Sequence, residues 1–188
     1  MEIVFATRNT GKFREVSEKF REIGIKLKQY DKGYPEIQAD RLEEVALYGV
    51  RYLSRRIENP FFLEDAGLFI KSLDGFPGVY SAYVYRKIGC EGILKLMEGV
   101  EDRRAEFRSI IAYKERGKKT KIFVGVCQGR ISTEKRGCKG FGFDPIFIPE
   151  GSTRTFGEMN VEEKNMFSHR GKSTQKLILY LREKNRNR

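Results

Sequence analysis

The single histidine of this chain lies in a polar cluster, Ser168-His169-Arg170-Gly171-Lys172, where the sequence pattern predicts the start of the last helix. The free backbone N–H groups of a helix N-terminus point outward, and the helix dipole adds about half a positive charge there. Arg170 and Lys172 add full charges and directed hydrogen-bond donors. The cluster therefore predicts a site for a phosphorylated ligand, although a Ser N-cap followed by basic surface residues is also an ordinary helix start.

A second candidate phosphate site lies between the first predicted strand and the first predicted helix. This loop combines small polar residues, a glycine that permits close backbone approach, and a lysine. It differs from a Walker A loop, which requires a G-x-x-x-x-G-K-[ST] pattern. A capped helix start is the alternative interpretation. The residues concerned are Thr7, Arg8, Asn9, Thr10, Gly11 and Lys12.

Two adjacent acids, Glu64 and Asp65, interrupt an apolar segment, and burying them is costly unless they are paired or functional. Neighbouring side chains of a strand point to opposite faces, so at most one of the two can face a given cleft, and Asp65 is our choice. Together with Glu36 from an earlier loop, Asp65 could supply the oxygens that Mg²⁺ takes from protein when phosphate and water complete its octahedron. The alternative is a salt-bridged pair among the many Lys and Arg residues.

The segment Phe141-Gly142-Phe143-Asp144-Pro145 combines aromatic faces with a carboxylate that can accept hydrogen bonds from ring N–H groups. Base stacking on an aromatic side chain contributes about 1–3 kcal/mol in proteins that bind single strands. The segment therefore predicts a purine-binding wall, with core packing of its Phe residues and a bulge at Gly142 as the alternative.

Apolar spacing indicates the elements that must position these residues. Helical segments alternate with strands, and one pair of strands reads as a hairpin around Gly117. This order predicts an α/β fold built around a mixed sheet flanked by helices. The predicted strands are 3–6, 25–29, 61–63, 105–113, 121–129 and 141–148, and the predicted helices are 13–24, 42–55, 81–97, 161–167 and 171–182.

The chain has 188 residues, which is within the usual range of one domain, and we predict a single domain over residues 1–188. Its formal charge of +11 is spread through the chain and suits a polyanionic small ligand as well as nucleic acid. Three cysteines without paired spacing indicate neither a disulfide framework nor a zinc site. The first residues enter a strand directly and no apolar run is long enough for a membrane span, so we expect a cytoplasmic protein.

Six motifs occur in one order along the chain, and together they resemble the inosine triphosphate pyrophosphatase family. They are T-R-N-T-G-K, Y-P-E-I-Q, F-L-E-D-A-G-L, G-F-P-G-V-Y-S, G-F-G-F-D-P-I-F and E-E-K-N-M-F-S-H-R-G-K. The resemblance covers essentially the whole chain. It implies a Mg²⁺-dependent homodimer with a long mixed sheet and a substrate cleft between two lobes. It also implies hydrolysis of ITP, dITP and XTP to the monophosphate and pyrophosphate.

The same resemblance implies roles for individual residues. The loop from Thr7 to Lys12 would hold the triphosphate. Glu36 and Asp65 would bind the metal, and Asp65 would also orient or deprotonate the attacking water. His169 and Arg170 would recognise the 6-oxo edge of the purine, which accepts a hydrogen bond where adenine donates one. The remaining substrate-binding residues would be Ala66, Phe141, Gly142, Phe143, Asp144 and Lys164.

The chain departs from the family pattern at several positions. Many relatives have a lysine in the helix before the E-D segment, where this chain has Gly49, with Arg51 as a speculative substitute. Ala66 stands where serine is common, which removes a side-chain hydroxyl. Two conservative departures are Gly157 and Ser173. A nucleotide hydrolase with another base preference therefore stays open, as does a nucleic-acid-binding protein that uses Phe141 and Phe143.

Overall fold

A computed structural model describes residues 2–186 of the chain. The predicted domain over residues 1–188 therefore extends slightly beyond the described residues. The contacts group into two compact units. Unit 1 comprises the described parts of Met1–Asp65 and Arg170–Arg188 together with Ser109–Gly125, and unit 2 comprises Ala66–Arg108 and Val126–His169.

The elements alternate as the sequence predicts. The strands are β1 (Ile3–Ala6), β2 (Leu27–Tyr30), β3 (Phe61–Ile70), β4 (Pro77–Gly78), β5 (Arg104–Lys114), β6 (Lys121–Ile131) and β7 (Phe147–Pro149). The helices are α1 (Thr10–Arg21), α2 (Leu42–Leu53), α3 (Ser81–Leu96), α4 (Val161–Phe167) and α5 (His169–Arg186). Short 3₁₀ turns occupy Lys71–Leu73, Asp144–Ile146 and Phe156–Glu158.

Within residues 2–186 the strands form one mixed sheet in the order β2-β1-β3-β5-β6-β7, with β4 paired to β3. Strand β1 runs parallel to both β2 and β3, whereas β3 with β4 and β6 with β7 pair antiparallel. The parallel pairs are joined through α1 and α2, as parallel strands require crossover connections. The α/β class and the mixed sheet with flanking helices are confirmed.

The core of unit 1 is rich in stacked aromatic rings. Phe62 of β3 is fully buried and lies with its ring centroid 4.5 Å from that of Phe5 on β1 and 5.7 Å from that of Phe20 on α1. Apolar positions of α1 recur every three or four residues, which turns Val16 and Phe20 towards the sheet. Packing of β1, β3 and α1 therefore depends on contacts that meet at Phe62.

We expect the Phe62→Ala substitution to lower the free energy of unfolding by about 3–5 kcal/mol, because it removes a large buried ring and leaves a cavity between two others. Denaturant unfolding followed by circular dichroism measures the effect. The exposed Phe76 provides the matched control, since Phe76→Ala opens no buried cavity. A loss for Phe62→Ala no larger than that for Phe76→Ala would contradict this assignment of the core.

The core of unit 2 gathers side chains from β3, α3, β5, β6 and the segment after β6. Two of the three cysteines, Cys90 and Cys127, are buried there, whereas Cys138 is exposed, and all three are free thiols. Burial raises the pKa of Cys90 to about 11, with a contribution from the nearby Glu91 carboxylate. Cys90 donates a hydrogen bond from Sγ to the carbonyl oxygen of Gly142 at 3.5 Å, which connects α3 to the predicted base-binding segment.

Three predicted elements differ in detail from the structure. The expected strand over 141–148 is instead a turn, a 3₁₀ turn and the short β7, because Gly140 and Gly142 adopt positive φ and Pro145 lacks an N–H to donate. Helix α3 includes a residue with non-helical geometry, Gly89, at φ 62° and ψ −163°. The last helix begins at His169, two residues earlier than predicted, and ends later, at Arg186.

Among residues 2–186, none of the helices combines the length and the apolar character that crossing a bilayer requires.

Candidate functional site

The predicted phosphate and metal residues of unit 1 lie close to the carboxyl ends of the parallel strands β1 and β2. In register, Ala6 at the end of β1 is level with Tyr30 at the end of β2 and with Leu63 of β3. The chain segments that follow these three residues therefore emerge side by side. In open α/β sheets the carboxyl ends of strands are the usual ligand site. The Thr7–Lys12 loop, the loop carrying Glu36, and the Glu64-Asp65 pair all begin there.

The loop after β1 is a capped helix start that also provides cationic groups. Asn9 is the N-cap of α1, and its Oδ1 accepts a hydrogen bond of 2.9 Å from the backbone N–H of Lys12. Thr7 is buried and its Oγ1 accepts from the N–H of Asn9 at 3.1 Å, whereas Arg8, Asn9 and Thr10 are exposed. Gly11 is partly exposed in the first turn of α1. The alternative interpretation, helix capping, is therefore correct for Asn9, and the phosphate role of the loop stays a prediction.

Glu64 is the buried member of the acidic pair and lies in an ion network. Lys12 Nζ lies 2.9 Å from Glu64 Oε2 and donates a 3.0 Å hydrogen bond to the Glu64 carbonyl oxygen. Ser109 on β5 donates to Glu64 Oε1 at 2.7 Å. Arg170 Nε lies 3.2 Å from the same oxygen. The alternative interpretation of this acidic pair, a salt-bridged acid, is therefore correct for Glu64. Neighbouring side chains of a strand point to opposite faces, and Asp65, on the other face from Glu64, is partly exposed.

Arg170 is buried, with 2% of its surface exposed, and its guanidinium binds two carboxylates. Besides Glu64, it contacts Glu15 of α1, because Arg170 Nη1 donates to Glu15 Oε2 at 2.7 Å. Burial by itself would lower the pKa of Arg170, but the Glu64 and Glu15 carboxylates raise it, so the ionised form is held firmly. The contacts of Arg170 thus join α1, β3 and α5, and base recognition by Arg170 stays a prediction.

The predicted metal ligands Asp65 and Glu36 share a neighbour, Tyr34. Burial raises the pKa of Tyr34 well above its ordinary value, and the nearby carboxylates of Asp65, Glu36 and Glu64 raise it further, whereas Arg8 acts in the opposite direction. The Tyr34 phenol therefore stays protonated at neutral pH. Its environment is evidence that the Glu36 loop and the Glu64-Asp65 pair lie in one electrostatic neighbourhood of unit 1.

At Gly49, where many relatives have a lysine, neighbouring side chains occupy the space that a side chain would need. It is buried on α2, and a Cβ added there would lie 2.7 Å from Leu63 Cδ2 and 2.8 Å from Tyr34 Cε2. No side chain fits at this position without movement of Leu63 or Tyr34. Arg51, the speculative substitute for the missing lysine, is exposed on the same helix.

In unit 2, three predicted base-binding residues form a connected group. Asp144 Oδ2 accepts a 2.6 Å hydrogen bond from Lys164 Nζ and a 2.7 Å hydrogen bond from the backbone N–H of Phe141. Lys164 Nζ lies 4.8 Å from the centroid of the partly exposed Phe141 ring, a cation–π contact. Lys164 and Asp144 are both buried, so their charges compensate each other.

The other predicted residues of unit 2 have different environments. Phe143 is 3% exposed, belongs to the core of unit 2 and packs edge-on against the exposed Tyr85, so core packing is correct for this residue. A buried ring also offers no free face for nucleic-acid stacking. His169 is 2% exposed and stacks on Phe107 at 4.6 Å between centroids. Ala66 and Gly142 are partly exposed, and Gly142 has φ 61°.

Sequence analysis missed three residues that organise this region: Glu15, Ser109 and Tyr34. One signal for Glu15 was present, because it lies three residues after Lys12 and therefore on the same face of α1. The proximity of Ser109 to Glu64 depends on strand pairing in the sheet and has no signal in the sequence. Tyr34 belongs to one of the six motifs, in which the metal-binding role was predicted for Glu36, two residues later.

The donor set fits a hard metal ion that is also bound by the substrate. Among residues 2–186, no group of three or more His, Cys, Asp and Glu side chains is close enough to hold a metal by itself. Glu36 and Asp65 offer only carboxylate oxygens, which suit Mg²⁺, an ion commonly bound through one or two carboxylates plus substrate phosphates and water. A soft metal would need thiolate or imidazole ligands.

Comparison with known protein sequences shows which family this chain resembles. A model of the Ham1 family matches residues 3–180. A dITP/XTP pyrophosphatase of Pyrococcus horikoshii is 57% identical over 182 residues, 97% of each chain. A protein of the same name from Thermococcus kodakarensis is 53% identical over 183 residues, 97% of this chain and 98% of that one.

Solved structures with the same fold include two Ham1 proteins. The Ham1 protein of Staphylococcus aureus superposes with a TM-score of 0.84 at 28% identity and covers 98% of this chain and 100% of its own. The HAM1 protein of Coxiella burnetii gives a TM-score of 0.83 at 33% identity, covering 97% and 99%. The relationship predicted from the six motifs is confirmed, and the chain belongs to the Ham1 family.

Proposed function

We propose that this protein hydrolyses the non-canonical purine nucleoside triphosphates dITP, ITP and XTP to the monophosphate and pyrophosphate. One observation carries the proposal: a partly exposed acid, Asp65, follows a buried Glu64 that two cations hold in place, on β3 just beyond the level at which the parallel strands β1 and β2 end. The family and the names of its relatives, dITP/XTP pyrophosphatase, support the choice of substrate.

In this mechanism Asp65 orients a water molecule and accepts its proton. The water oxygen forms a bond to the α-phosphorus while the bond from that phosphorus to the bridging oxygen breaks, and pyrophosphate leaves. Mg²⁺ bound by Glu36 and Asp65 would neutralise charge on the phosphates. The Thr7–Lys12 loop would hold the triphosphate through backbone N–H groups at the start of α1, where the helix dipole favours anions.

Base binding would use the partly exposed Phe141 as a stacking surface. The Asp144 carboxylate fixes the Phe141 backbone and the Lys164 ammonium at once, so the ring is held in one position before the base arrives. This preorganisation lowers the entropy lost on binding. His169 and Arg170 would distinguish a 6-oxo purine from adenine, because a buried donor left without an acceptor costs about 1–3 kcal/mol.

The decisive experiment measures hydrolysis of dITP, ITP, XTP, ATP and GTP with Mg²⁺ and separates pyrophosphate from orthophosphate. We expect monophosphate and pyrophosphate from the first three nucleotides and little product from ATP and GTP. In ¹⁸O-labelled water the label should appear in the monophosphate, since water attacks the α-phosphorus. Orthophosphate release would contradict the reaction, and equal rates on ATP would contradict the specificity.

The proposed metal requirement gives a further expectation. Addition of EDTA should abolish hydrolysis and excess Mg²⁺ should restore it. The homodimeric state that the family resemblance implies and the cytoplasmic location expected from the sequence stay predictions, and sedimentation equilibrium would test the homodimeric state.

A further inference from the structure

The ring of Tyr34 lies in a notch that only glycine provides. A Cβ at Gly49 would lie 2.8 Å from Tyr34 Cε2 and 2.9 Å from Tyr34 Cδ2, with Leu63 Cδ2 at 2.7 Å. Real Cβ atoms essentially never approach neighbouring heavy atoms this closely. The Tyr34 ring therefore packs directly against the α2 backbone at Gly49, beside Leu63 of β3.

A second contact restrains the same loop one residue earlier. Gly33 has φ +73°, and a Cβ there would lie 2.9 Å from Nε of Arg8. The Arg8 side chain thus lies across the backbone of Gly33. At the start of the loop, the N–H of Thr7 donates to the carbonyl oxygen of Tyr30 at 3.0 Å. The loop is therefore attached at Tyr30, Gly33 and Tyr34.

Beyond Tyr34 the chain continues into an exposed segment. Pro35, Glu36, Ile37 and Gln38 are all exposed, so tertiary packing of their own side chains restrains them little. Pro35 has a fixed φ and transmits the position of Tyr34 to the next residue. Tyr34 is the last residue before Glu36 that packs into the protein, and its electrostatic neighbours are the carboxylates of Asp65, Glu36 and Glu64.

We propose that Tyr34 is a positioning residue for Glu36 of the acidic pair Glu36 and Asp65, and that Gly49 is required because the Tyr34 ring occupies the space of its side chain. The inference rests on the proposed function for the reaction that the pair serves. Residues that orient metal ligands affect metal affinity strongly without touching the metal. The ring supplies the anchor through its packing against Gly49 and Leu63.

The experiment compares Tyr34→Ala, Tyr34→Phe and Gly49→Ala with the full-length wild-type chain. Binding of Mn²⁺ alone is followed by the electron paramagnetic resonance signal of the free ion, and hydrogen–deuterium exchange is measured over residues 31–38. We expect Tyr34→Ala to weaken Mn²⁺ binding by about tenfold and to speed exchange in the loop. Tyr34→Phe retains the ring, so its Mn²⁺ affinity should stay within about twofold of the wild-type value.

The matched control is Tyr48→Ala. Tyr48 precedes Gly49 on α2 but is 39% exposed, so its removal leaves the packing of Tyr34 unchanged. Gly49→Ala should reproduce the Tyr34→Ala effect, because the added methyl group displaces the ring. In the Tyr34→Ala background the same Gly49→Ala change should add less than about twofold, since the two residues act as one pair.

Three results would overturn the proposal. The first is that Mn²⁺ affinity and hydrogen–deuterium exchange of residues 31–38 are unchanged in Tyr34→Ala. Tyr34 would then have a packing role only, even if the melting temperature falls. Tyr34→Phe could be as damaging as Tyr34→Ala, which would transfer the role from the ring to the hydroxyl. The effects of Tyr34→Ala and Gly49→Ala could simply add. None of these readouts needs turnover, so a wild-type protein inactive on dITP would refute the proposed function separately.

Discussion

Replacement of Asp65 with Asn is expected to lower the turnover number on dITP by roughly 10²–10⁴-fold, the usual contribution of a positioned general base. The amide is nearly isosteric with the carboxylate but accepts no proton and binds a cation weakly. Because Asp65 is partly exposed, its charge contributes less to folding than that of the buried Glu64. Steady-state hydrolysis assays measure the loss, and thermal unfolding measures the fold.

The control for Asp65→Asn is Asp40→Asn, the same chemical change at an exposed position. We expect Asp40→Asn to retain wild-type turnover. Near-normal turnover of Asp65→Asn would refute its assignment as the base. A collapse of the melting temperature in Asp65→Asn would instead give the residue a structural role.

Replacement of Arg170 with Met is expected to reduce the free energy of unfolding by about 3–5 kcal/mol, the usual cost of removing one partner from a buried ion pair. Methionine fills much of the same volume but leaves two buried carboxylates, on Glu15 and Glu64, without the guanidinium. The cost should fall in double variants that also neutralise Glu15, because fewer buried charges then lack a partner. Urea unfolding of the single and double variants measures both effects.

The exposed Arg14 on α1 is the matched control, and Arg14→Met should change stability by no more than about 0.5 kcal/mol, as surface substitutions usually do. A small stability loss for Arg170→Met together with a reduced preference for ITP over ATP would favour the base-reading role instead. The two roles are therefore separable, since the first concerns unfolding and the second concerns the ratio of kcat/KM values.

Local pattern was sufficient for most elements of the fold. The alternation of apolar strands with helices of period 3.6 correctly predicted the presence of β1, α1, α2 and α4, although α1 begins at Thr10, three residues before the predicted start. It was wrong at 141–148, where an apolar run with a proline and positive-φ glycines forms turns. Apolar content alone does not distinguish a strand from a buried turn.

The candidate site shows the same division. The chemical types were evident from the sequence: adjacent acids, a lysine in a loop before a helix, and basic residues at the start of the last helix. Their partners were not evident. Glu64 and Arg170 are separated by more than a hundred residues, and nothing in the motif that contains Arg170 indicates that Glu15 and Glu64 contact its guanidinium.

The amino-acid sequence by itself determined the family, the α/β class and which residues are candidates for phosphate and metal binding, because motif order and hydrophobic period are properties of the chain. Only the tertiary structure decided which acid is buried and which is partly exposed, and why residue 49 is glycine. Those answers depend on contacts between β3, α1, α2, α5 and the loop of Tyr34, which lie far apart in sequence. Burial and electrostatic interaction act through distance in space, and the sequence alone does not specify that distance.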